Sequence, residues 1–461
     1  MAPPTTNPQR RHKPWWAIAS AGAAALVALF TSALGWRPAI APVLASAQGV
    51  YSPAVIERGR QLAALGNCVG CHTADGQTPN TGGRPLHTPF GTVVSSNLTP
   101  DPVSGIGLWS FSAFQRAMRQ GVSRDGHLLY PAFPYTAFSQ ASDDDLTALY
   151  AWLMVQPAVA SGPAGPGNTT NLRFPFNLRP LMGLWNALYL QPGPVAQPQA
   201  DVAPSRSPQW WRGAELVNGL GHCSACHSPR DALGAERSNA YLGGALVDGW
   251  HAPALGVLAQ PPVRWTEAAM QQYLRQGHHP QHGIAAGPMA SVVQALAQAS
   301  AADVAAMAHY LVSLQADATS ADATSADASS AGADQDAQRL LASADAQATR
   351  LLPGPTQRLF ESACGACHHA GDGPAVAGLN QPLALNPKLH SAQADGLVRT
   401  VLDGLWQPAF PAIGHMPAFR HALDDAQVVE LAAWLRLRFA PGQPAWADLP
   451  ATVARLRAAT P

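Results

Sequence analysis

The sequence predicts an all-α fold, three tandem helical units behind one N-terminal transmembrane helix, and three observations carry that prediction. A short cysteine pattern occurs three times, an aromatic–glycine–loop pattern repeats at fixed intervals, and one long uncharged run stands near the start.

The uncharged run comes first in the chain. Arg10, Arg11 and Lys13 precede a stretch from Trp15 to Trp36 that is closed by Arg37. As a helix its 22 residues span roughly 33 Å, enough to cross a hydrocarbon core. Trp15, Trp16 and Trp36 stand at the two ends, where interfacial aromatics belong. Basic residues ahead of the span leave 1–14 in the cytoplasm and put everything after 15–36 outside, on the periplasmic side of the bacterial inner membrane. The competing reading is a cleaved signal peptide ending at Ala45-Ser46-Ala47. Against it, the run exceeds the usual ~7–15-residue apolar region of a signal, and the small-residue site lies too far downstream.

All six cysteines fall in three copies of one motif: Cys68-Val-Gly-Cys71-His72, Cys223-Ser-Ala-Cys226-His227 and Cys364-Gly-Ala-Cys367-His368. This is the pattern of c-type haem attachment. Two thiols three positions apart form thioethers to the two vinyl groups of one haem, and the adjacent histidine reaches the iron as proximal ligand. A zinc knuckle needs four ligands closed around the metal, and no further cysteine or repeated partner histidine supplies them. The expected cofactors are three covalently bound haem c groups, with His72, His227 and His368 on the irons.

The repeat extends beyond the cysteines. Trp109, Gly121 and Phe133 stand twelve apart, as do Trp265, Gly277 and Met289; Gly404 and Met416 keep the second interval. Each unit closes on a similar nonapeptide: Asp145-LTALYAW-Leu153, Asp303-VAAMAHY-Leu311 and Gln427-VVELAAW-Leu435. Apolar residues at the second, fifth, eighth and ninth places mark one helix face, and acidic residues near each start suit a helix N-terminus. Each unit thus reads as a helix into the haem motif, an irregular wrapping stretch and a closing helix, the small class I cytochrome c architecture. Much of each core is the haem itself, so the chain without haem should fold poorly. The domains run 50–190, 209–315 and 351–445, with a Pro-rich linker at 191–208 and a C-terminal tail at 446–461. A low-complexity linker covers 316–350; the Ala/Asp/Ser/Thr run from Ala316 to Ala337 reads as a flexible tether that leaves the third unit mobile, with a helical stretch as the alternative.

Distal iron ligands follow from the repeat. Met289 and Met416 occupy matched positions in Gly/Pro-broken loops, whereas Met118, Met154, Met270 and Met307 at helical spacing read as core. The first unit has Phe133 there, which cannot ligate iron. Its haem is either five-coordinate or ligated from elsewhere, with His127, Met118 and His87 as the candidates.

Charge excludes one class of partner. Acidic and basic residues balance at 28 each, so nucleic acid is not expected, and Lys13 and Lys388 are the only lysines, which favours a lasting subunit contact over a lysine-ringed shuttle.

With Ser96-Asn-Leu-Thr-Pro-Asp101, Gly105-Ile-Gly107, Leu129-YPAFPY-Thr136 and Phe174-Pro-Phe-Asn-Leu-Arg179 added to the motifs, residues 50–455 resemble the three-haem cytochrome subunit of bacterial membrane-bound periplasmic dehydrogenases. That family serves quinoprotein alcohol dehydrogenases, flavin-dependent sugar dehydrogenases, and molybdenum hydroxylases acting on aldehydes or N-heterocycles. Ala132-Phe-Pro-Tyr135, Gly249-Trp-His-Ala-Pro253 and His282-GIAAGP-Met289 are most similar to the molybdenum branch; the alcohol-dehydrogenase branch has Met where this chain has Phe133. The resemblance implies electron transfer from a catalytic dehydrogenase subunit to ubiquinone or a terminal oxidase. A molybdopterin subunit with an iron–sulfur subunit is the favoured partner, and a quinoprotein or flavoprotein the alternative. No dehydrogenase activity is expected of the chain alone. Two rivals are a peroxidase-like haem enzyme using the first iron and a free-standing quinol-oxidising cytochrome. Thioether attachment predicts that acid–acetone treatment leaves three haems on each denatured chain; free haem in the organic phase would refute it.

Overall fold

The computed structural model describes residues 37–44, 49–161, 169–191, 193, 206–316, 330–369 and 378–459. The expected transmembrane helix at 15–36, the small-residue site at 45–47 and most of the 191–208 linker lie outside the described residues. Among the described residues no helix is long and apolar enough to cross a membrane. The fold is therefore corrected from a membrane-anchored all-α chain to helical units without a described spanning helix: the helices present are either short or carry polar faces directed at water.

Unit one is built from α1 (Pro53–Leu65), the hairpin β1 (Pro85–Thr88) and β2 (Gly91–Val94), α2 (Phe111–Gln120) and α3 (Asp143–Met154). Strand β3 (Asn171–Leu172) extends the hairpin antiparallel to β2, and α4 (Leu181–Tyr189) follows. Unit two repeats the plan with α5 (Pro208–Asn218), the hairpin β4 (Ala245–Val247) and β5 (Trp250–Ala252), α6 (Glu267–Gln276), α7 (Pro288–Leu296) and α8 (Ala301–Ala316). After α9 (Ser330–Ala348), unit three holds α10 (Pro355–Ala363), α11 (Asp395–Asp403), α12 (Asp425–Phe439) and α13 (Leu449–Ala458). The wrapping stretches are thus less irregular than expected, since turn-forming residues fold parts of them into hairpins.

The repeat has a local cause at each anchor. The entry helices start alike: Ser52 and Ser207 each cap the helix with a side-chain oxygen, followed by Pro53 and Pro208 at the first helical position. Gly121, Gly277 and Gly404 end the middle helices at φ of 62°, 71° and 69°. Gly121 and Gly277 form left-handed helix caps and Gly404 shares only their positive φ; in each case glycine bears it at no steric cost and the chain passes into the loop that carries Phe133, Met289 or Met416. Each closing helix begins near acidic residues, and α12 has a reciprocal capping box between Asp424 and Gln427.

Entry and closing helices cross at contact distance in units one and two. A Cβ on Gly59 would lie 1.9 Å from the Ala148 carbonyl oxygen, and one on Gly213 2.0 Å from that of Ala306. The eighth-place aromatics Trp152 and Tyr310 stand over these glycines, each with its own Cβ 2.7 Å from the built atom. In unit three a ring pair, Phe360 and Trp434 at 5.1 Å, occupies the crossing between α10 and α12.

One hydrophobic core runs through units one and two, with Leu62, Leu146 and Leu149 from the first packed into one cluster with Leu216, Val304 and Met307 from the second. Four charges join them reciprocally. Arg58 donates to Asp145 at 3.2 Å and also to Asp303; Arg212 pairs with Asp145 at 2.6 Å and with Asp303 at 3.1 Å. Both aspartates are the first residue of their nonapeptide, and unit three has Gln427 there. Unit three instead packs Ala409 and Ile413 against Ala285, Ala290 and Val293 of unit two.

Over 330–348 the linker takes the helical alternative and not the flexible tether expected of Ala316–Ala337. Ala333 and Ala337 of α9 bury against Val263 and Leu385, Asp336 pairs with Arg264 at 2.8 Å, and Arg438 donates to the Ala344 carbonyl. Alanine is the best helix former, and its small side chain lets the helix seat closely between units two and three. Residues 317–329 lie outside the described residues. Third-unit mobility is likewise not what this packing provides.

Gly213→Val should cost about 1–3 kcal/mol, because the side chain enters the Ala306 backbone. Asp303→Asn should cost roughly 2–3 kcal/mol, below the full price of breaking a buried pair because both arginines reach water. Urea titrations followed by haem absorbance measure both, and an unchanged midpoint for either contradicts the interaction concerned.

Candidate haem sites

Each cysteine pair sits on a tight turn directly after an entry helix. At site one the chain reverses at Asn67 (φ 47°) into a single helical turn, Cys68–Cys71; at site two it reverses at His222 (φ 35°). None of the six cysteines is paired in a disulfide. Burial pushes the Cys68 and Cys223 thiols up to about 12 and Cys364 up to about 11, with the neighbouring cysteine of each pair adding to the rise. Among the described residues no group of three or more His, Cys, Asp or Glu gathers as a closed metal centre.

Two of the three histidines expected as proximal ligands are oriented by backbone carbonyls. His72 Nδ1 lies 2.6 Å from the Ser96 oxygen, and His227 Nδ1 lies 2.6 Å from the Pro253 oxygen. A carbonyl can only accept, so Nδ1 carries the hydrogen and Nε2 keeps its lone pair, the arrangement that a metal-ligating imidazole requires. Burial lowers the pKa of both rings, which keeps them neutral and able to ligate. His368 Nδ1 is buried without a hydrogen-bond partner among the described residues, and its ring also titrates low through burial. Paired free thiols on one turn, with an adjacent imidazole presenting Nε2, fit a covalently attached haem. When bound, that group would supply a one-electron iron couple, and His72, His227 and His368 would hold the iron in surroundings that the protein buries.

The matched distal positions share one environment. Met289 is the second residue of α7, after a turn at Gly287 (φ 56°) that lies so close to the Trp250 indole that an added Cβ would be 2.6 Å away. Met416 follows Gly414 (φ 85°) and pairs its backbone with Leu405, donating at 3.3 Å and accepting at 2.9 Å. Both methionines, and Phe133, remain half-buried, whereas Met118, Met182, Met270 and Met307 are enclosed by protein. His127 is on an exposed turn between Val122 and Leu128, its Nδ1 2.6 Å from Asp125 Oδ1. His87 lies on β1 with Nδ1 3.2 Å from the Thr92 hydroxyl.

The sites are also close to one another. His222, directly before Cys223, places Nε2 3.2 Å from the carbonyl oxygen of Gly66, two residues before Cys68. Burial raises the Cys226 thiol, with Cys71 across the interface among the charges that add to it. Between sites two and three, Met289, Tyr273 and Phe410 pack on one cluster, and Gln294 donates to the Ala409 oxygen at 2.9 Å. Sequence reasoning missed this His222 bridge and the four-charge cluster. The only signals in the chain are the two Arg-Gly pairs at 58–59 and 212–213 and the two aspartates that begin the nonapeptides.

Residues 56–156 and 211–315 match the cytochrome c family, and 354–435 match the family described as cytochrome c oxidase, cbb3-type, subunit III. The chain is 35% identical over 401 residues to the gluconate 2-dehydrogenase cytochrome c subunit of Pantoea cypripedii, covering 83% of this chain and 85% of that protein. It is 33% identical over 418 residues to the alcohol dehydrogenase (quinone) cytochrome c subunit of Gluconobacter oxydans, covering 86% and 81%. Over 460 residues it is 46% identical to a nicotinate dehydrogenase subunit of Pseudomonas putida, covering 99% of this chain and only 36% of that longer protein. Covalent haem motifs on cytochrome c folds, together with relatives matched nearly end to end, place the chain in the family of dehydrogenase-associated cytochrome c subunits, whose work is electron transfer.

Proposed function

We propose that the chain binds three haem c groups, one per motif, and relays electrons from a catalytic dehydrogenase subunit in the periplasm to ubiquinone or a terminal oxidase of the inner membrane. The observation that carries this reading is the contact between sites: His222 reaches Gly66 from site two to site one, and the Met289 loop packs on the Ala409–Ile413 segment before Met416. Such packing supports an order in which site two stands between the other two and electrons pass through it. Basic residues followed by the uncharged 15–36 run support export from the cytoplasm.

For the partner, we favour a molybdopterin subunit with an iron–sulfur subunit. The support is the 46% identity, across the whole chain, to a protein named for nicotinate, an N-heterocycle. Purification of the native complex tests this: molybdenum and non-haem iron should copurify with the haems, whereas pyrroloquinoline quinone or flavin in their place would assign the other branch.

Relay through site two has its own test. Met289→Ala should remove one methionine-to-iron near-infrared band and slow quinone reduction by the complex, while turnover with a soluble dye that draws from the catalytic subunit is kept. Undiminished quinone reduction would mean that electrons bypass site two.

A further inference from the structure

The first unit departs from its own repeat at the distal position, where Phe133 stands in place of Met289 and Met416. The side chains weighed as substitutes are held elsewhere, as is Met154, which packs against the core shared by units one and two. His127 is on an exposed turn and held by Asp125, His87 is exposed on β1 beside Thr92, and Met118 is enclosed in the core at 6% exposure. Met182 is enclosed as well, in the cluster with Tyr135 and Trp185 that backs the Phe133 loop.

What surrounds Phe133 is aromatic and short of free polar groups. Its ring lies 5.2 Å from Phe138 and 6.3 Å from Tyr135. The nearby phenols are already used: Tyr135 donates to Asn186 Oδ1 at 2.6 Å, and Tyr130 to the Asn177 oxygen at 3.3 Å. Phe133 is itself half-buried, with its loop pinned by hydrogen bonds from Phe133 N to Tyr130 O and from Tyr135 N to Phe133 O.

We propose that site one is a ligand-binding haem site, whose iron takes its sixth ligand from outside the protein and whose aromatic wall selects a small neutral diatomic of the carbon monoxide class. The inference rests on the assignment of a haem c to Cys68, Cys71 and His72. Distal polarity and hydrogen-bond donors decide whether a haem binds or activates its ligand. Among the described residues the two phenols nearest Phe133 are engaged, and a wall that offers no phenol to donate stabilises neither an anion nor a polarised peroxide, so binding rather than peroxidase chemistry is the outcome.

The test uses the full-length, haem-loaded protein reduced anaerobically and titrated with carbon monoxide. One carbon monoxide should bind per chain, and Phe133→Met should abolish that uptake, leave the covalent haem count unchanged and add a third methionine-to-iron band in the ferric spectrum. No uptake by the wild type, or equal uptake by F133M through displacement of Met289 or Met416, overturns the proposal. Should F133M not fold, the ferric wild type decides: two methionine bands with one high-spin centre support the proposal, and three bands overturn it. Haem missing from the Cys68–Cys71 peptide overturns both the proposal and the assignment beneath it, whereas haem present there without uptake overturns the proposal alone.

Discussion

The close crossing of entry and closing helices is the constraint from which the first two units are built. Only a hydrogen at position 59 or 213 lets the entry helix lie against the carbonyls of Ala148 and Ala306. That contact sets where the cysteine turn emerges, and hence where an iron would stand relative to the loop from the middle helix. It also sets the adjacent residues, Arg58 and Arg212, beside the first residues of the closing nonapeptides, Asp145 and Asp303. Steric fit and charge pairing are therefore consequences of one geometry. Unit three, with aromatic rings at the crossing and Gln427 in place of aspartate, fills the same plan without the charges and finds another way to attach.

The charge cluster needs a physical account, because burying ions is costly. Both aspartates are nearly enclosed, with side chains 8% exposed, and each is met by both arginines. Such a cluster contributes little net stability against a well-packed apolar alternative, but removal of one member is expensive. Each arginine meets the aspartate of its own unit and that of the other, so the cluster ties the closing helix of each unit to both entry helices.

Part of the site was legible in the sequence because its chemistry is local. A Cys-x-x-Cys-His run carries its meaning within five residues, whereas the glycines at 121, 277 and 404 read only as anchors of the repeat, without any expectation of the helices that they end. The closing helices were legible from period alone. What failed to show depended on distant partners or on burial. Asp145 and Asp303 read as helix-terminal charges, because nothing nearby reveals arginines from another unit. Helix α9 was hidden by its own composition, since alanine-rich sequence becomes a seated helix only when a surface is available to receive it. His222 looked like any residue beside a motif until the fold brought Gly66 to it.

The reciprocal charges also bear on how the chain comes into being. Arg58 and Asp303 are 245 residues apart in sequence. At ribosomal rates of about 5–20 residues per second, the partner of that arginine is made on the order of 10–50 s later. Unit one therefore cannot reach its final state as it is synthesised; it waits, with its interface unmatched, until unit two has been completed. The first two units mature as a single object, and the quality of the pair, not of either member, is what a cell's folding and proteolytic machinery inspects.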